Sequence, residues 1–165
     1  VGTVYPMHAF ELARQTADEG YEMVIAAGGD GTAHEVANGL MQIPLERRPK
    51  MGVLPLGSGN DFSHTIGIDS NPATAMRQIL TGKPERIDIG RFWDNLGRSE
   101  YFVNAIGIGF DATVTIRSRK VAFFSGFMIY FIAVLQTILF NHEAPQMSIK
   151  TDSESWIDET MMIVM

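Results

Sequence analysis

Two short apolar segments, each followed at once by a glycine-rich loop, constrain this chain more than any other feature of its sequence. Residues 23–27 (MVIAA) run into GGDGT at 28–32, and residues 51–54 (MGVL) run through Pro55 and Leu56 into GSGND at 57–61. Segments this short and apolar suit strands that are buried on both faces, as in a parallel sheet. Parallel strands bring their following loops to the sheet edge where α/β folds bind ligands. The sequence therefore predicts that the two loops lie together.

The composition of the loops favours phosphate as the ligand. Glycine permits positive φ and lets backbone N–H groups approach an anion closely, and a helix N-terminus behind each loop adds a favourable dipole. Thr32 and Ser58 add hydroxyl donors. Either loop alone could be a plain tight turn. Two such loops, each at a strand end and each carrying an aspartate, favour a phosphate site.

The aspartates of the loops, Asp30 and Asp61, refine this prediction. A carboxylate beside phosphate is repelled unless a cation lies between them or a proton is transferred. Mg²⁺ is the expected cation for nucleotide phosphates. The alternative role for each aspartate is to cap a turn or a helix.

The order of elements predicts an α/β fold followed by a β-rich segment. Strand, glycine loop and helix alternate as far as about residue 82, with helices expected near residues 7–20, 33–40 and 72–80. A turn cluster at 81–84 marks a candidate boundary. Beyond it we expect strands at 87–90, 101–106, 146–151 and 160–165, the first two forming a hairpin around a turn at 94–97. The predicted domains are therefore residues 1–84 and residues 85–165.

An uncharged apolar stretch, residues 121–140, follows the basic residues Arg117, Arg119 and Lys120. A helix over 126–140 would be about 22 Å long, short of the ~30 Å hydrocarbon core of a bilayer, so a spanning helix is disfavoured. A buried helix in the β-rich domain and an apolar face that contacts lipid both remain open.

Charge and composition exclude several classes of protein. A net charge of -6 argues against a nucleic-acid-binding module, and the absence of cysteine excludes disulfides, thiol nucleophiles and thiolate-bound metals. There is no P-loop lysine motif, and the G-x-G-x-x-A pattern at 107–112 lacks the acidic ribose ligand of a dinucleotide site. The chain starts at Val1 without a visible signal peptide and ends in an apolar run, so we expect a piece of a larger protein.

Paired signatures in these loops resemble a known family. GGDGT at 28–32, with Glu35 and then Asn38-Gly39, resembles the G-G-D-G-T-x-N-E-x-x-N-G signature of the diacylglycerol kinase catalytic domain, and PLGSGNDF at 55–62 resembles its P-L-G-T-G-N-D-F signature. IDIG at 87–90 and GIGFD at 107–111 follow in the expected order. The resemblance implies ATP-dependent phosphorylation of a lipid hydroxyl. It also implies a three-layer α/β nucleotide domain, a β-sandwich-like lipid-substrate domain and ATP in the cleft between them.

The resemblance also implies roles for individual residues. Those it assigns to nucleotide binding are Gly28, Gly29, Asp30, Gly31, Thr32, His34, Gly57, Ser58, Gly59, Asn60 and Thr3. It gives substrate or structural roles to Glu35, Asp61 and Asp111. His34 replaces the family's asparagine and Met7 its usual glycine. The implied cofactors are ATP and Mg²⁺. The family's usual catalytic base and Mg²⁺ ligands are expected beyond Met165, so Asp30 is the catalytic candidate here and the metal ligands are unknown.

The family resemblance also bears on the binding partners and the location of the protein. The resemblance implies a lipid substrate, peripheral contact with a membrane surface and a cytoplasmic location at the inner membrane face. A homodimer is left open. Residues 1–165 alone are expected to be inactive. Two alternatives remain open: a kinase of a soluble acceptor such as NAD, and a nucleotide-binding module without catalytic activity.

Overall fold

A computed structural model of the chain describes residues 1–118, residue 134 and residues 144–165. The chain divides into two compact units, Val1–Asn104 and Ala105–Met165. This division lies further along the chain than the turn cluster at 81–84, and the assignment of domains to 1–84 and 85–165 stays a prediction. The apolar helix expected at 126–140 lies outside the described residues. Within the described ranges, no helix combines the length and apolar character needed to cross a bilayer.

The first unit is built on two parallel strands. Strand β1 (Met23–Gly28) pairs with β2 (Lys50–Pro55) in continuous register, from Met23 opposite Lys50 to Gly28 opposite Pro55. Ala26 and Val53 are buried at the centre of this pair. The pairing confirms the mixed α/β fold with parallel strands that the alternation of apolar segments, glycine loops and helices predicts.

The helices of the first unit follow the order predicted from the sequence. They are α1 (His8–Gln15), α2 (Asp30–Leu40), α3 (Asp61–Thr65) and α4 (Pro72–Thr81), and a 3-10 turn (Leu45–Arg47) separates α2 from β2. Helix α4 begins with proline at its first turn, and the Asn71 side chain accepts hydrogen bonds from the N–H groups of Ala73 and Thr74. These are the features of a well-formed helix start.

Helix α1 packs closely on α2. The core between α1, α2 and β1 contains Ala9, Ala13, Ala26, Val36, Leu40 and Ile43. A Cβ atom on Gly39 would lie 2.3 Å from the Phe10 carbonyl oxygen, so glycine at this position lets the two helices approach.

The prediction that α1 extends to near Gly20 is wrong, because the helix ends at Gln15. The Thr16 hydroxyl donates a 2.6 Å hydrogen bond to the Ala13 carbonyl oxygen, and the Thr16 N–H bonds to the same carbonyl. Threonine hydroxyls compete with the helical ladder for such carbonyl groups. Turns then lead to Gly20, which has a φ of 78°.

A β-hairpin completes the first unit. Strand β3 (Gly90–Trp93) pairs antiparallel with β4 (Ser99–Phe102), which confirms the hairpin around residues 94–97. The strand bounds differ from those predicted. The strand expected at 87–90 only begins at Gly90, because pairing starts at Gly90 opposite Phe102 and the preceding residues have no partner in β4.

The second unit contains short antiparallel pairs. Its elements are β5 (Gly107–Gly109), α5 (Phe110–Ser118), β6 (Gln146–Lys150), β7 (Ser155–Glu159) and β8 (Met162–Val164), with β5 paired to β8 and β6 to β7. The sequence predicts strands at the positions of β6 and β8 but misses β5, α5 and β7. The sequence of β7, SWIDE, places its two apolar residues side by side and so lacks the alternation of apolar and polar residues that would mark a strand. Every residue of β7 is exposed.

Candidate functional site

The two glycine loops lie against each other at the carboxyl ends of β1 and β2. The Leu56 N–H donates a 2.9 Å hydrogen bond to the Gly28 carbonyl oxygen. A Cβ atom on Gly57 would lie only 2.4 Å from the Gly29 Cα. Backbone therefore packs directly on backbone here, which requires glycine. The predicted juxtaposition of the loops is confirmed.

Asp30 connects the first loop to the helix after the second. Its Oδ1 accepts a hydrogen bond of 3.0 Å from the backbone N–H of Phe62, the second residue of α3. Asn60, which precedes α3, makes no side-chain capping bond. Asp30 therefore caps a helix that is 32 residues away in sequence. The capping role considered for the aspartates is correct for Asp30, but the capped helix belongs to the other loop.

The carboxylates of both loops converge beside Gly59. A Cβ atom on Gly59 would lie 3.0 Å from Asp30 Oδ2 and 3.7 Å from Asp61 Oδ2. Two carboxylate oxygens facing one small volume repel each other unless a cation or proton joins them. Such hard oxygen ligands fit a Mg²⁺ ion that takes its remaining ligands from phosphate and water. Among the described residues, no group of three or more metal-ligating side chains occurs.

The N-terminus of α2 is open. Gly29 precedes it in an extended conformation, and no described side chain caps it. Nothing lies within 4 Å of the position that a Gly31 Cβ would occupy, whereas a Cβ on Gly28 would lie 2.3 Å from Thr32 Oγ1. Among the described residues, the N–H groups of Asp30, Gly31 and Thr32 at the start of this 11-residue helix have no hydrogen-bond partner, and Gly31 is exposed. Such a helix end is suited to an anion.

Asn60 shapes the second loop. Its φ is 58°, in the left-handed region. Its Oδ1 accepts a 2.9 Å hydrogen bond from the Gly57 N–H, and its Nδ2 donates one of 2.8 Å to the Gly57 carbonyl oxygen. The amide thus holds the turn closed around Ser58, which is exposed. Nucleotide contact by Asn60 and Ser58 stays a prediction.

Helix α2 also contacts the β3–β4 hairpin. His34 Nε2 lies 2.8 Å from Glu100 Oε1 on β4. The buried Asn38 donates a 2.9 Å hydrogen bond to the Tyr101 carbonyl oxygen and accepts one of 2.9 Å from the Tyr101 N–H. Asn38 therefore pairs with β4 as a neighbouring strand would. The motif contains Asn38, but sequence reasoning missed this role. The His34 ring already has Glu100 as a partner in the protein. Nucleotide contact by His34 stays a prediction.

The remaining predicted residues are Glu35, Thr3 and Asp111. Glu35 accepts hydrogen bonds from the N–H groups of Met7, at 3.0 Å, and Ala9, at 3.2 Å, and so holds the start of α1. Thr3 is exposed on the segment before α1. Asp111 is the second residue of α5 and belongs to the second unit. Roles for Thr3 and Asp111 in binding stay predictions.

Parallel strands whose glycine loops meet beside a helix N-terminus are typical of α/β domains that bind phosphate groups. The sequence model of the diacylglycerol kinase catalytic domain matches residues 1–92, more than half of the chain. The chain belongs to this family.

Relatives and solved structures agree with the family. The chain is 44% identical over 104 residues to "Probable lipid kinase YegS-like" of Chromohalobacter salexigens, covering 63% of this chain and 32% of that protein. It is 39% identical over 102 residues to the diacylglycerol kinase of Bacillus subtilis, covering 61% and 31%. A crystal structure of a diacylglycerol kinase from Bacillus anthracis matches with a TM-score of 0.71 and 28% identity, covering 99% of this chain and 50% of that one. The chain thus spans about a third of these curated relatives.

Proposed function

We propose that the protein catalyses the ATP-dependent phosphorylation of a hydroxyl group of diacylglycerol or a related lipid. The observation that carries the proposal is the contact between Gly29 and Gly57, which brings both signature loops to one edge of the sheet beside the open N-terminus of α2. The names of the relatives supply the class of acceptor.

The triphosphate of ATP would occupy the open space in front of α2. The backbone N–H groups at Asp30, Gly31 and Thr32 begin that helix and suit phosphate oxygens. Ser58 is exposed on the adjoining loop, where its hydroxyl group adds a donor. Thr3, His34 and Asn60 are further nucleotide contacts implied by the family resemblance.

Asp30 and Asp61 would hold a Mg²⁺ ion through the Oδ2 atoms that face Gly59. When bound, Mg²⁺ neutralises part of the charge on the phosphates. Asp30 uses its other oxygen, Oδ1, for the Phe62 N–H, so the position of its carboxylate is fixed before nucleotide binds. Positioning and charge neutralisation of this kind supply most of the catalysis in phosphoryl transfer.

The reaction forms a bond between the lipid hydroxyl oxygen and the γ-phosphorus. The bond from that phosphorus to the β–γ bridging oxygen breaks, and ADP leaves. The hydroxyl proton passes to a carboxylate base. Within this chain Asp30 is the candidate for that base only as an alternative to holding Mg²⁺, because its Oδ1 accepts from the Phe62 N–H and its Oδ2 cannot bind the metal and take the proton at once. The family's usual base would belong to the remainder of the protein.

The second unit would belong to the β-sandwich-like lipid-substrate domain of the whole protein. Its antiparallel pairs, β5 with β8 and β6 with β7, suit such a domain. A lipid acceptor requires access to a membrane surface. We therefore place the whole protein in the cytoplasm, acting peripherally at the inner face of the membrane.

Acceptor specificity tests this proposal. The full-length protein should transfer ³²P from [γ-³²P]ATP to diacylglycerol in the presence of Mg²⁺ and should leave NAD unlabelled. Labelled NADP without labelled phosphatidic acid would identify a kinase of a soluble acceptor. Saturable ATP binding without transfer to any lipid hydroxyl would identify a nucleotide-binding module instead.

A further inference from the structure

The tip of the β3–β4 hairpin presents two large apolar side chains to solvent. Trp93 and Leu96 are both 76% exposed. We propose that this tip is a membrane anchor, with Trp93 and Leu96 inserting among the lipid headgroups. The proposal rests on the lipid acceptor of the proposed function, because it assigns the surface on which that acceptor is reached.

The turn between the strands is held rigidly in shape. Asp94 Oδ1 accepts hydrogen bonds of 2.9 Å from the N–H groups of both Leu96 and Arg98, and the Asp94 N–H donates to the Arg98 carbonyl oxygen at 3.0 Å. Gly97 has a φ of 81°, which glycine adopts without strain. These bonds fix the backbone of the turn from which the exposed side chains of Trp93 and Leu96 project.

The outer face of the hairpin has the chemistry of a membrane interface. Trp93 lies opposite Ser99 and Arg91 opposite Tyr101, so these four side chains share one face. The Arg91 guanidinium lies 5.3 Å from the centroid of the Tyr101 ring. Tryptophan and tyrosine rings sit at headgroup depth, and arginine side chains beside them suit lipid phosphates. The carboxylate of Asp94 is engaged within the turn, and that of Glu100 faces His34.

The size of the tip favours a bilayer over a protein as the occupant. A stable protein interface buries about 800 Å² on each partner, whereas one aromatic side chain buries about 150–250 Å². Two side chains on a narrow tip fall short of the area that a second copy of the chain would need. Reversible attachment to a membrane needs only a few amphipathic side chains.

The anchor would be coupled directly to the phosphate loops. Only two residues separate Arg98 from Tyr101, whose backbone is bonded to Asn38, and Glu100 contacts His34. Both partners lie on α2, the helix whose open N-terminus faces the predicted phosphate site. Insertion of the tip would therefore set the orientation of α2 relative to the bilayer.

Vesicle co-sedimentation of the full-length protein tests the anchor. The vesicles contain phosphatidylcholine and phosphatidylglycerol, and the variants are Trp93→Ala, Leu96→Ala and, as matched control, Leu80→Ala. Leu80 is 68% exposed on α4, away from the hairpin. We expect Trp93→Ala to weaken binding about tenfold, Leu96→Ala several-fold, and Leu80→Ala less than twofold. Melting temperatures should match that of the wild type.

Turnover separates this inference from the proposed function. Trp93→Ala should slow phosphorylation of diacylglycerol embedded in vesicles but leave the rate on a short-chain, monomeric diacylglycerol unchanged. Unchanged vesicle binding by both hairpin variants, or equal weakening by Leu80→Ala, would overturn the anchor and leave the kinase assignment intact. A change in oligomeric state with Trp93→Ala would assign the tip to a protein contact instead. Failure of the wild type to phosphorylate either lipid would count against the proposed function, while vesicle binding still reports on the anchor.

Discussion

The carboxylate of Asp30 and the backbone N–H of Phe62 are joined by a hydrogen bond of 3.0 Å that links the two signature loops of the chain. Asp30 begins α2, and Phe62 lies in the first turn of α3. The same carboxylate presents Oδ2 toward Gly59, beside Asp61. One residue thus joins the two loops and is also the proposed metal ligand, which makes Asp30 the first residue to test.

Substitution of Asp30 should separate these two roles. Asp30→Asn retains an oxygen acceptor for the Phe62 N–H but removes the charge, whereas Asp30→Ala removes both. We expect Asp30→Ala to lower the free energy of unfolding by about 1 kcal/mol, typical of a lost helix cap, and Asn to preserve most of it. Kinase activity should be lost in both variants. Urea unfolding and turnover are the measurements, and near-native turnover of Asp30→Asn would refute a role for the charge.

Gly31 and Gly57 should respond differently to an added side chain. Nothing lies within 4 Å of a Cβ at Gly31, so Gly31→Val should fold normally yet block phosphate from the N-terminus of α2. Gly57→Ala places a Cβ 2.4 Å from the Gly29 Cα, so it should lower the melting temperature itself. Calorimetry and ATP titration distinguish the two. Wild-type ATP affinity in a folded Gly31→Val protein would contradict the phosphate assignment.

Glu35 should stabilise the protein because it holds the start of α1 in place. Its two oxygens accept from the Met7 and Ala9 N–H groups, so Glu35→Ala leaves two donors at the start of α1 without their partner. Because water can reach the exposed Met7 N–H, we expect a loss of about 0.5–1.5 kcal/mol in the free energy of unfolding. Glu35→Gln keeps one acceptor oxygen and should lose less. Equal stability of all three proteins in denaturant titrations would show that these bonds contribute nothing.

Replacing Met7 with glycine should make the protein more stable. Its φ of 69° lies in the left-handed region, where a Cβ atom costs roughly 1–2 kcal/mol. Glycine removes this cost but adds entropy to the unfolded chain, so Met7→Gly should raise the free energy of unfolding by about 0.5–1 kcal/mol. Met7→Ala keeps the Cβ atom and is the matched control. A gain with alanine as large as that with glycine would place the cause in the methionine side chain.

Asp94 should make the hairpin sensitive to acid. Hydrogen bonds from the Arg98 and Leu96 N–H groups, together with the Arg98 side chain, lower the pKa of Asp94 below its ordinary value of 3.8. A lowered folded pKa contributes stability that is present above pH 3.8 and is lost as the pH falls through the folded value. The stability difference between the wild type and Asp94→Asn should therefore shrink as the pH falls below that range. A difference independent of pH in unfolding titrations would contradict this.

Local sequence patterns predict most of the site but not its long-range bonds. The glycine loops and the strands before them are encoded by neighbouring residues, so the parallel pair and the meeting of Gly29 with Gly57 follow from the sequence. The partners of Asn38 and Glu35 lie 63 and 28 residues away, and no local pattern identifies them. Helix α1 ends at Gln15, before Gly20, and the Thr16 hydroxyl and N–H both bond to the Ala13 carbonyl there, a contact that the apolar spacing of the helix does not reveal.

Phosphoryl transfer by the full-length protein tests the central claim most directly, namely that ATP binds at the paired glycine loops and its γ-phosphoryl group passes to a lipid. Wild type and Gly31→Val would be incubated with [γ-³²P]ATP, Mg²⁺ and diacylglycerol, with Leu80→Ala as a folded surface control. We expect labelled phosphatidic acid from the wild type and from Leu80→Ala, and none from a Gly31→Val protein that melts at the wild-type temperature. Equal labelling by Gly31→Val, or an unlabelled lipid with all three proteins, would contradict the central claim.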